Sequence, residues 1–528
     1  MPTSPTYPGV YIEELPSAVR TIIGVPTSIA AFVGWAPRGP DGAEAITSWD
    51  DYQRIYGGLH VSSPMSQAVY QFYQNRGSEA VIVRLAGKKG GTAAAATIQL
   101  GPDGTAPKLQ AVSVGSWGNN LRARVDYTTK DPADTTLYNL TVRDTGTGAQ
   151  ETYLNVSTVA TDARTLDNVL AGSELVKAVA NQATRPKDDA VVPVGQDPFA
   201  DGHGQDQEPG HPRWYTQADA NSGKDDPAVG PDDYIGGAGD SFSLNKQGIY
   251  ALLTTDIFNM LCLPGRADDN GVLSAALQLC GDRRAMLIVD PPSAWGSVNA
   301  AVTTAHSLTG DSAKNAAVYF PNIKFSNPLK EGAVEAFPPC GAVAGVWART
   351  DVQRGVWKAP AGTDASLNGA DSLDVKMTDG DNGRLNPLGI NCLRTFPVVG
   401  HVSWGARTMR GADRLADQWK YVPVRRLALF IEESLYRGTQ WVVFEPNDEP
   451  LWSSIRLNVG AFMNTLFRQG AFQGQTPQEA YLVKCDSTNN PQNSIDRGIV
   501  NILVGFAPLK PAEFVIIQIQ QLAGQIQV

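Results

Sequence analysis

What this chain lacks narrows the field. Its 528 residues hold only five cysteines, Cys262, Cys280, Cys340, Cys392 and Cys485, far apart and without a CxxC pair. That pattern fits reduced, buried thiols and excludes a disulfide framework or a paired-cysteine zinc motif. Basic charge is in deficit, with 43 Lys and Arg against 53 Asp and Glu and a net charge of -10. A nucleic-acid binder needs a basic face, so no nucleic-acid partner is expected. No apolar run approaches the ~20 residues that span a bilayer, so no direct membrane insertion is expected either. The opening MPTSPTYPGV has neither a basic n-region nor an apolar h-region. The expectation is a protein made in the cytoplasm without a signal peptide.

Catalytic patterns are missing too. There is no GxxxxGK[ST] to cradle a phosphate. GGAGD at 236 lacks the strand and helix that a dinucleotide fingerprint needs. GHVSWG at 400 has His401 where a nucleophile elbow needs glycine, so it reads as a strand end in a core. Asp290 ends the apolar strand MLIVD, where α/β enzymes place acids, but Pro291 and Pro292 follow at once. Glu432 and Glu433 are neighbours on a helix, point apart, and read as a solvated face. Five histidines, two of them (His203 and His211) in an acidic loop, give no paired-ligand spacing. No catalytic residue, cofactor or metal site is expected. The alternative these residues leave is a soluble multidomain α/β enzyme acting at the end of the MLIVD strand.

What is present alternates strands and helices. SIAAFVGWAPRGP reads as a buried strand. Met65, Ala68, Val69, Phe72 and Tyr73 form a helical stripe, and EAVIVRL is another strand. After a small-residue linker near residue 90 come short strands: LRARVDY, LYNLTVRD and TYLNVS. Residues 195–239 carry nine acidic and two basic residues and read as a solvated loop. From 248 the α/β pattern resumes. IYALLTTDIFNMLCLPG, RAMLIVDPP and AAVYFPNIKF read as strands and VLSAALQLC as a helix. Leu427, Phe430, Ile431, Ser434 and Leu435 mark a helix after Pro423. WVVFEPND reads as strand and turn, and Asn447 or Asp448 caps a helix carrying Trp452, Ile455, Val459, Phe462, Met463 and Leu466. AYLVKCD and GIVNILVGFAP are strands. The fold class is α/β (α+β), multidomain. Residues 1–22 are an extended arm, 23–90 the first part of a core, 91–245 an inserted β-rich domain, 246–508 the second part of the core, and 509–528 a second arm.

The two ends pose the question that decides the function. Pro2, Pro5, Pro8 and Pro16 surround a short strand with Val10, Tyr11, Ile12 and Leu15. Beyond Pro508 and Pro511, Phe514, Val515, Ile516, Ile517 and Ile519 form a second strand with no hairpin partner nearby. An unpaired strand leaves a row of N–H and C=O groups open, which proteins normally avoid. The alternatives are folding back onto the chain's own domain and addition to sheet edges of other copies; proline tethers that hold both strands away from the body favour the second.

The chain resembles the contractile tail sheath proteins of bacteriophages and of phage-tail-like contractile injection systems. YPGVYIEELP followed by IIGVPTSIAAFVGWAPRGP carries the resemblance at the start. VWKAPAG, FPVVGHVSWGART, YVPVRRLALFIEESLYRGTQWVVFEPND and GIVNILVGFAPLKPAEFVIIQIQQ carry it later. It covers roughly residues 7–90 and 245–525. It implies a structural subunit, not an enzyme, polymerised as a helical sheath of stacked hexameric rings around an inner tube protein. The arms would add strands to neighbouring copies, and contraction would drive the tube through a target envelope. The implied partners are the chain itself, the inner tube protein, and baseplate and tail terminator or cap proteins of a virion tail or released particle made in a bacterium. A baseplate or tube component is the nearer alternative. The resemblance also implies an inward-facing helix that touches the tube, for which Arg456, Asn458, Asn464 and Arg468 are the candidates.

Overall fold

A computed structural model of the chain describes residues 20–518 apart from 88–90, 102–104, 181, 208–209, 227, 238–239, 305 and 307. Its centre is an eight-stranded sheet. In spatial order the strands are Gly400–Ser403, Asn391–Phe396, Ala316–Phe320, Met286–Val289, Met260–Cys262, Ala30–Trp35, Ala80–Leu85 and Gly42–Ile46. The inner six run parallel, and the two edge strands are antiparallel to their neighbours.

Parallel strands joined by crossovers are covered on both faces, and so they read as unbroken apolar runs. AAFVGW is buried at all six positions. Ala31, Val33 and Trp35 face one apolar layer, which includes the helix Asn270–Asp282. Ala30 and Phe32 face the other, with the helices Trp49–Tyr56, Pro64–Gln74 and Cys340–Arg354. Ser63 caps the helix Pro64–Gln74 by accepting from the Ser66 N–H at 3.1 Å, with Pro64 in the first turn. That helix lies against Cys340–Arg354 with almost no space between backbones. A Cβ on Gly341 would stand 2.1 Å from the Ala68 carbonyl oxygen, so glycine is required there.

Residues 97–180 build two three-stranded antiparallel sheets around a separate apolar cluster. Arg84 ties this part to the sheet. Its guanidinium donates to the carbonyls of Ala36, Gly39 and Pro37 and, across the junction, of Val114 at 2.8 Å. Arg38 pairs with Asp144 at 3.1 Å.

Several sequence-based expectations are corrected. The acidic stretch 195–239 is not a solvated loop throughout. Phe199, Trp214, Tyr215, Val229 and Tyr234 are buried, Tyr215 bridges to Ala123, and Arg122 and Arg143 pair with Asp201 and Asp197. Buried aromatic rings outweigh the charge count there. IYALLTT is a 3-10 helix, Gly248–Thr254, and only Met260–Cys262 of that run is a strand. AAVYFPNIKF is two strands in different sheets, parted at Pro321. WVVFEPND holds no strand. Gln440–Val442 is a 3-10 turn, and Phe444 has φ +71 and a fully exposed ring. Glu433 is not solvated. It accepts from Arg284 and Arg437, each at 2.8 Å.

The C-terminal part is a pair of helices, Val422–Gly438 and Glu449–Arg468, with a two-stranded sheet of Tyr481–Lys484 and Leu503–Phe506. Asp448 caps the second helix. A buried ion pair holds this part to the central layers. The Arg426 guanidinium grips the Asp351 carboxylate with two bonds, 2.8 and 2.6 Å, and donates also to the Thr27 carbonyl. Both side chains are almost fully buried.

Removing one partner of such a pair strands a buried charge. Asp351→Ala is therefore expected to cost about 3–5 kcal/mol, read as a lowered denaturant midpoint of the unassembled chain. Asp351→Leu combined with Arg426→Met should recover most of that loss, because it leaves no charge behind. A single substitution costing under about 1 kcal/mol would contradict this account.

Candidate assembly site

The termini were the expected site, and the structure places their roots rather than their tips. Val10, Tyr11, Ile12 and Leu15 lie outside the described residues, as does Ile519. Phe514, Val515, Ile516 and Ile517 are described and stand 73–84% exposed. None belongs to a strand of its own chain. Four consecutive large apolar side chains in water are unusual for a monomer and mark a surface that something covers.

The root of the first arm is Arg20 to Ile22. The Arg20 N–H donates to Asn458 Oδ1 at 2.8 Å, and its guanidinium lies 4.7 Å from the centre of the Trp441 ring. Ile22 is buried against Gly438, where a Cβ would meet it at 2.6 Å. The root of the second arm is Glu513. It accepts two hydrogen bonds from Arg407, at 2.7 and 2.5 Å, and a third from the Tyr421 hydroxyl at 3.2 Å.

These contacts revise the four tube-contact candidates. Asn458 is not on the exposed face of the helix Glu449–Arg468, because it is 2% exposed and engaged by the first arm. Arg456 turns away to donate to the Cys485 carbonyl and to Glu449 at 2.6 Å. Asn464 is half-buried, and Arg468 is exposed. The outward row runs through Ser453, Leu457, Ala461, Thr465 and Arg468 and is mostly uncharged.

The two-stranded sheet has one unpaired edge on each strand among the described residues. Tyr481, Val483, Val504 and Phe506 pack against the helices, while Leu482 and Leu503 face outward, each 53% exposed. A groove of about 790 Å³ runs beneath the second arm, lined among others by Arg354, Trp357, Lys358, Trp404, Lys510 and Phe514. Its one carboxylate, Glu513, is already engaged by Arg407. Elsewhere, Asp290 accepts from the Cys340 N–H at 2.9 Å and is buried. Among the described residues no group of His, Cys, Asp and Glu is placed to hold a metal, and no helix is long and apolar enough to cross a membrane.

The family model for the phage tail sheath protein central domain matches residues 229–409, and that for the phage tail sheath C-terminal domain matches 416–521. Together they cover more than half of the sequence. The chain belongs to the phage tail sheath family. Among its relatives, the tail sheath protein of Vibrio phage KVP40 is 30% identical over 177 residues, 33% of this chain and 25% of the relative. The chain thus spans about a quarter of that relative's length. A putative prophage major tail sheath protein of Pseudomonas aeruginosa is 26% identical over 286 residues, 53% of this chain and 69% of the relative. The fold is that of sheath proteins of known structure. The sheath of the PVC extracellular contractile injection system, in its contracted state, aligns over 98% of both chains with a TM-score of 0.58 at 22% identity. The sheath tail protein Lin1278 of Listeria innocua aligns over 93% of this chain and 96% of its own with a TM-score of 0.59 at 12% identity. This sheath-family chain shares with both a mixed α/β body.

Sequence reasoning missed both roots. The signal for the second was present: Glu513 is the one acid between Pro511 and the apolar run, and Arg407 is a cation beside the apolar strand end HVSWGA. Nothing in the sequence pairs them across 106 positions.

Burial pushes the Asp290 carboxyl up to about 7 from an ordinary 3.8. The folded chain therefore holds that proton more tightly than the unfolded one. The contribution is whole below about pH 4 and is lost as pH rises through about 7. Asp290→Asn keeps an acceptor for the Cys340 amide and removes the titration. From pH 4 to 8 the parent should lose up to roughly 4 kcal/mol relative to this variant, measured by denaturant unfolding at each pH. Parallel profiles would contradict the assignment.

Proposed function

We propose that the chain is the structural subunit of a contractile tail sheath, stacked with copies of itself around an inner tube. The observation that carries this reading is the exposed apolar run Phe514–Ile517, which leaves a firmly rooted position with no strand to pair with. The acceptor we assign is the open edge of the sheet Tyr481–Lys484 and Leu503–Phe506 on a neighbouring copy. Added there, the run would gain backbone hydrogen bonds of about 1 kcal/mol each, and its side chains about 1.5–3 kcal/mol apiece on full burial. The strand around Val10 to Leu15, with Tyr11 and Ile12, would join the same sheet from another copy.

Each copy would then be tied to others by covalently tethered strands while the bodies rotate and slide. Contraction would draw on the further burial of surface between bodies, so nothing in the mechanism requires a nucleotide, and the subunit is read as non-enzymatic. The arms let a wave of repacking pass along the sheath without subunits parting. Baseplate and terminator proteins would hold its two ends, and the particle would be a virion tail or a released injection device.

The tube must be held weakly, or contraction would stall. The outward row of the helix Glu449–Arg468 fits that need, with Leu457, Thr465 and Arg468 as the contacts we favour and the half-buried Asn464 beside them. A mostly uncharged face avoids the strong, salt-sensitive grip of a charged one.

Removing residues 514–528 tests the reading while sparing Glu513. The truncated chain should keep the circular dichroism spectrum and unfolding midpoint of the parent yet form no ordered tubes in negative-stain microscopy. Full-length tubes from the truncated chain would overturn it. So would small discrete particles from the intact chain under every assembly condition.

A further inference from the structure

The ion pair at the root of the second arm does more than fill space. Arg407 is fully buried, and its guanidinium is engaged by acceptors on every nitrogen. Nη1 donates to the carbonyls of Asn386 at 2.9 Å and Gly411 at 3.1 Å and to Asp413 at 2.9 Å. Nε and Nη2 are left for Glu513. The backbone of Arg407 is clamped as well. Asn391 accepts from its N–H and donates to its C=O, both at 2.7 Å. Asn391 lies in the central sheet, and Gly411 leaves room where a Cβ would come within 2.7 Å of Arg407 Cβ. The receptor for Glu513 is thus tied by its backbone to a strand of the central sheet.

The last backbone hold before Glu513 is Ala507, whose N–H donates to Ala480 and whose C=O accepts from Gln473. Beyond it Pro508 makes a lone bridge to Phe472. From Leu509 to Ala512 no backbone group is held by a main-chain bond among the described residues. At Phe514 the chain turns fully outward. The boundary between held and free chain therefore falls at Glu513, five residues beyond the lone bridge.

We propose that Arg407 and Glu513 form a latch that sets the tether length of the second arm and passes tension from the arm strand to the central sheet. This rests on the sheath reading for its purpose, though not for its existence. Latched, a pulled arm loads the sheet edge through a bidentate ion pair whose loss would leave Nε and Nη2 of a buried guanidinium without acceptors, Nη1 alone keeping Asp413. Unlatched, residues 509–513 join the tether and lengthen it by about 17 Å. One sequence thus holds two tether lengths, and the change between them needs no rearrangement of the body. Glu513 acts as a positioning residue for the strand that follows it.

Spin labels test this in the full-length, dilute, unassembled chain. All five native cysteines are buried. Ala512→Cys and Ile516→Cys, both exposed, accept a nitroxide selectively, and Val352→Cys on the helix Cys340–Arg354 serves as the control. The label at 512 should be slow and that at 516 fast. Glu513→Gln, and equally Glu513→Ala, should speed the label at 512 about tenfold toward the value at 516 and leave the label at 352 unchanged. Slowing that persists in both variants, or a label at 512 already fast in the parent, overturns the latch. A change at 352 as well would reduce the pair to a general stabiliser and overturn it too. In assembled tubes, Glu513→Gln should broaden the distribution of axial rise between rings, and an unchanged narrow rise counts against tether setting. Failure of the intact chain to form tubes would sink the sheath reading alone, because label mobility is read without assembly.

Discussion

A parallel sheet covered on both faces is the constraint from which the rest of this molecule follows. Its strand Ala30–Trp35 pairs on one side with Ala80–Leu85 and on the other with Met260–Cys262. The sheet is incomplete until the chain, having left it at Leu85, returns at Met260. Two helices can cover one face only because glycines at 341 and 345 let Cys340–Arg354 lie on Pro64–Gln74 at backbone contact. The far end of that helix is then locked by the buried Asp351–Arg426 pair. The result is a stiff body, since close-packed interiors transmit strain instead of absorbing it.

Stiffness in the body gives meaning to the two anchored roots. A strand offered to a neighbour from a floppy tether loses ordering entropy on binding. Fixing the root near the body removes part of that cost and limits where the strand can search. Ile22 in the notch at Gly438 and Glu513 on Arg407 do this for the two arms. Both grips use the helical C-terminal part or the sheet edge beside it.

Much of this was legible in the sequence, and the failures share a cause. Continuous apolar runs such as AAFVGW and MLIV announced buried strands, because burial on both faces leaves no alternation to misread. The stripe from Met65 to Phe72 announced its helix with cap and proline in place. WVVF failed as a strand because β-branched residues there end a helix and present an exposed turn, a choice made by the flanking helices and not by propensity. The acidic stretch failed because charge was counted and Phe199, Trp214 and Tyr215 were not weighed. Asn458 failed as a surface residue because its partner, Arg20, is 438 positions away. The apolar arm run itself was plain, since four exposed aliphatic and aromatic side chains in a row need no tertiary information to be noticed. Its root was not, because a bond between Arg407 and Glu513 exists only once the sheet edge is built.

The same sheet also shows what fills the place where folds of this kind usually carry a ligand. Open α/β sheets place ligands at the carboxyl ends of the strands where the strand order reverses. Here that point lies between Ala30–Trp35 and Met260–Cys262. It is packed with structure. Arg84 ties down the carbonyls of Ala36, Pro37 and Gly39, and Pro64 comes within 3.4 Å of where a Cβ on Gly265 would stand. Asp290, the acid best placed to act, is spent on the first turn of the helix Cys340–Arg354. The same helix, Cys340–Arg354, thus meets Asp290 at its first turn and Pro64–Gln74 along its glycines. On the sheath reading we propose, a body pulled from its ends gains from such a filled seam, because a close-packed interior passes strain on where a hollow would deform.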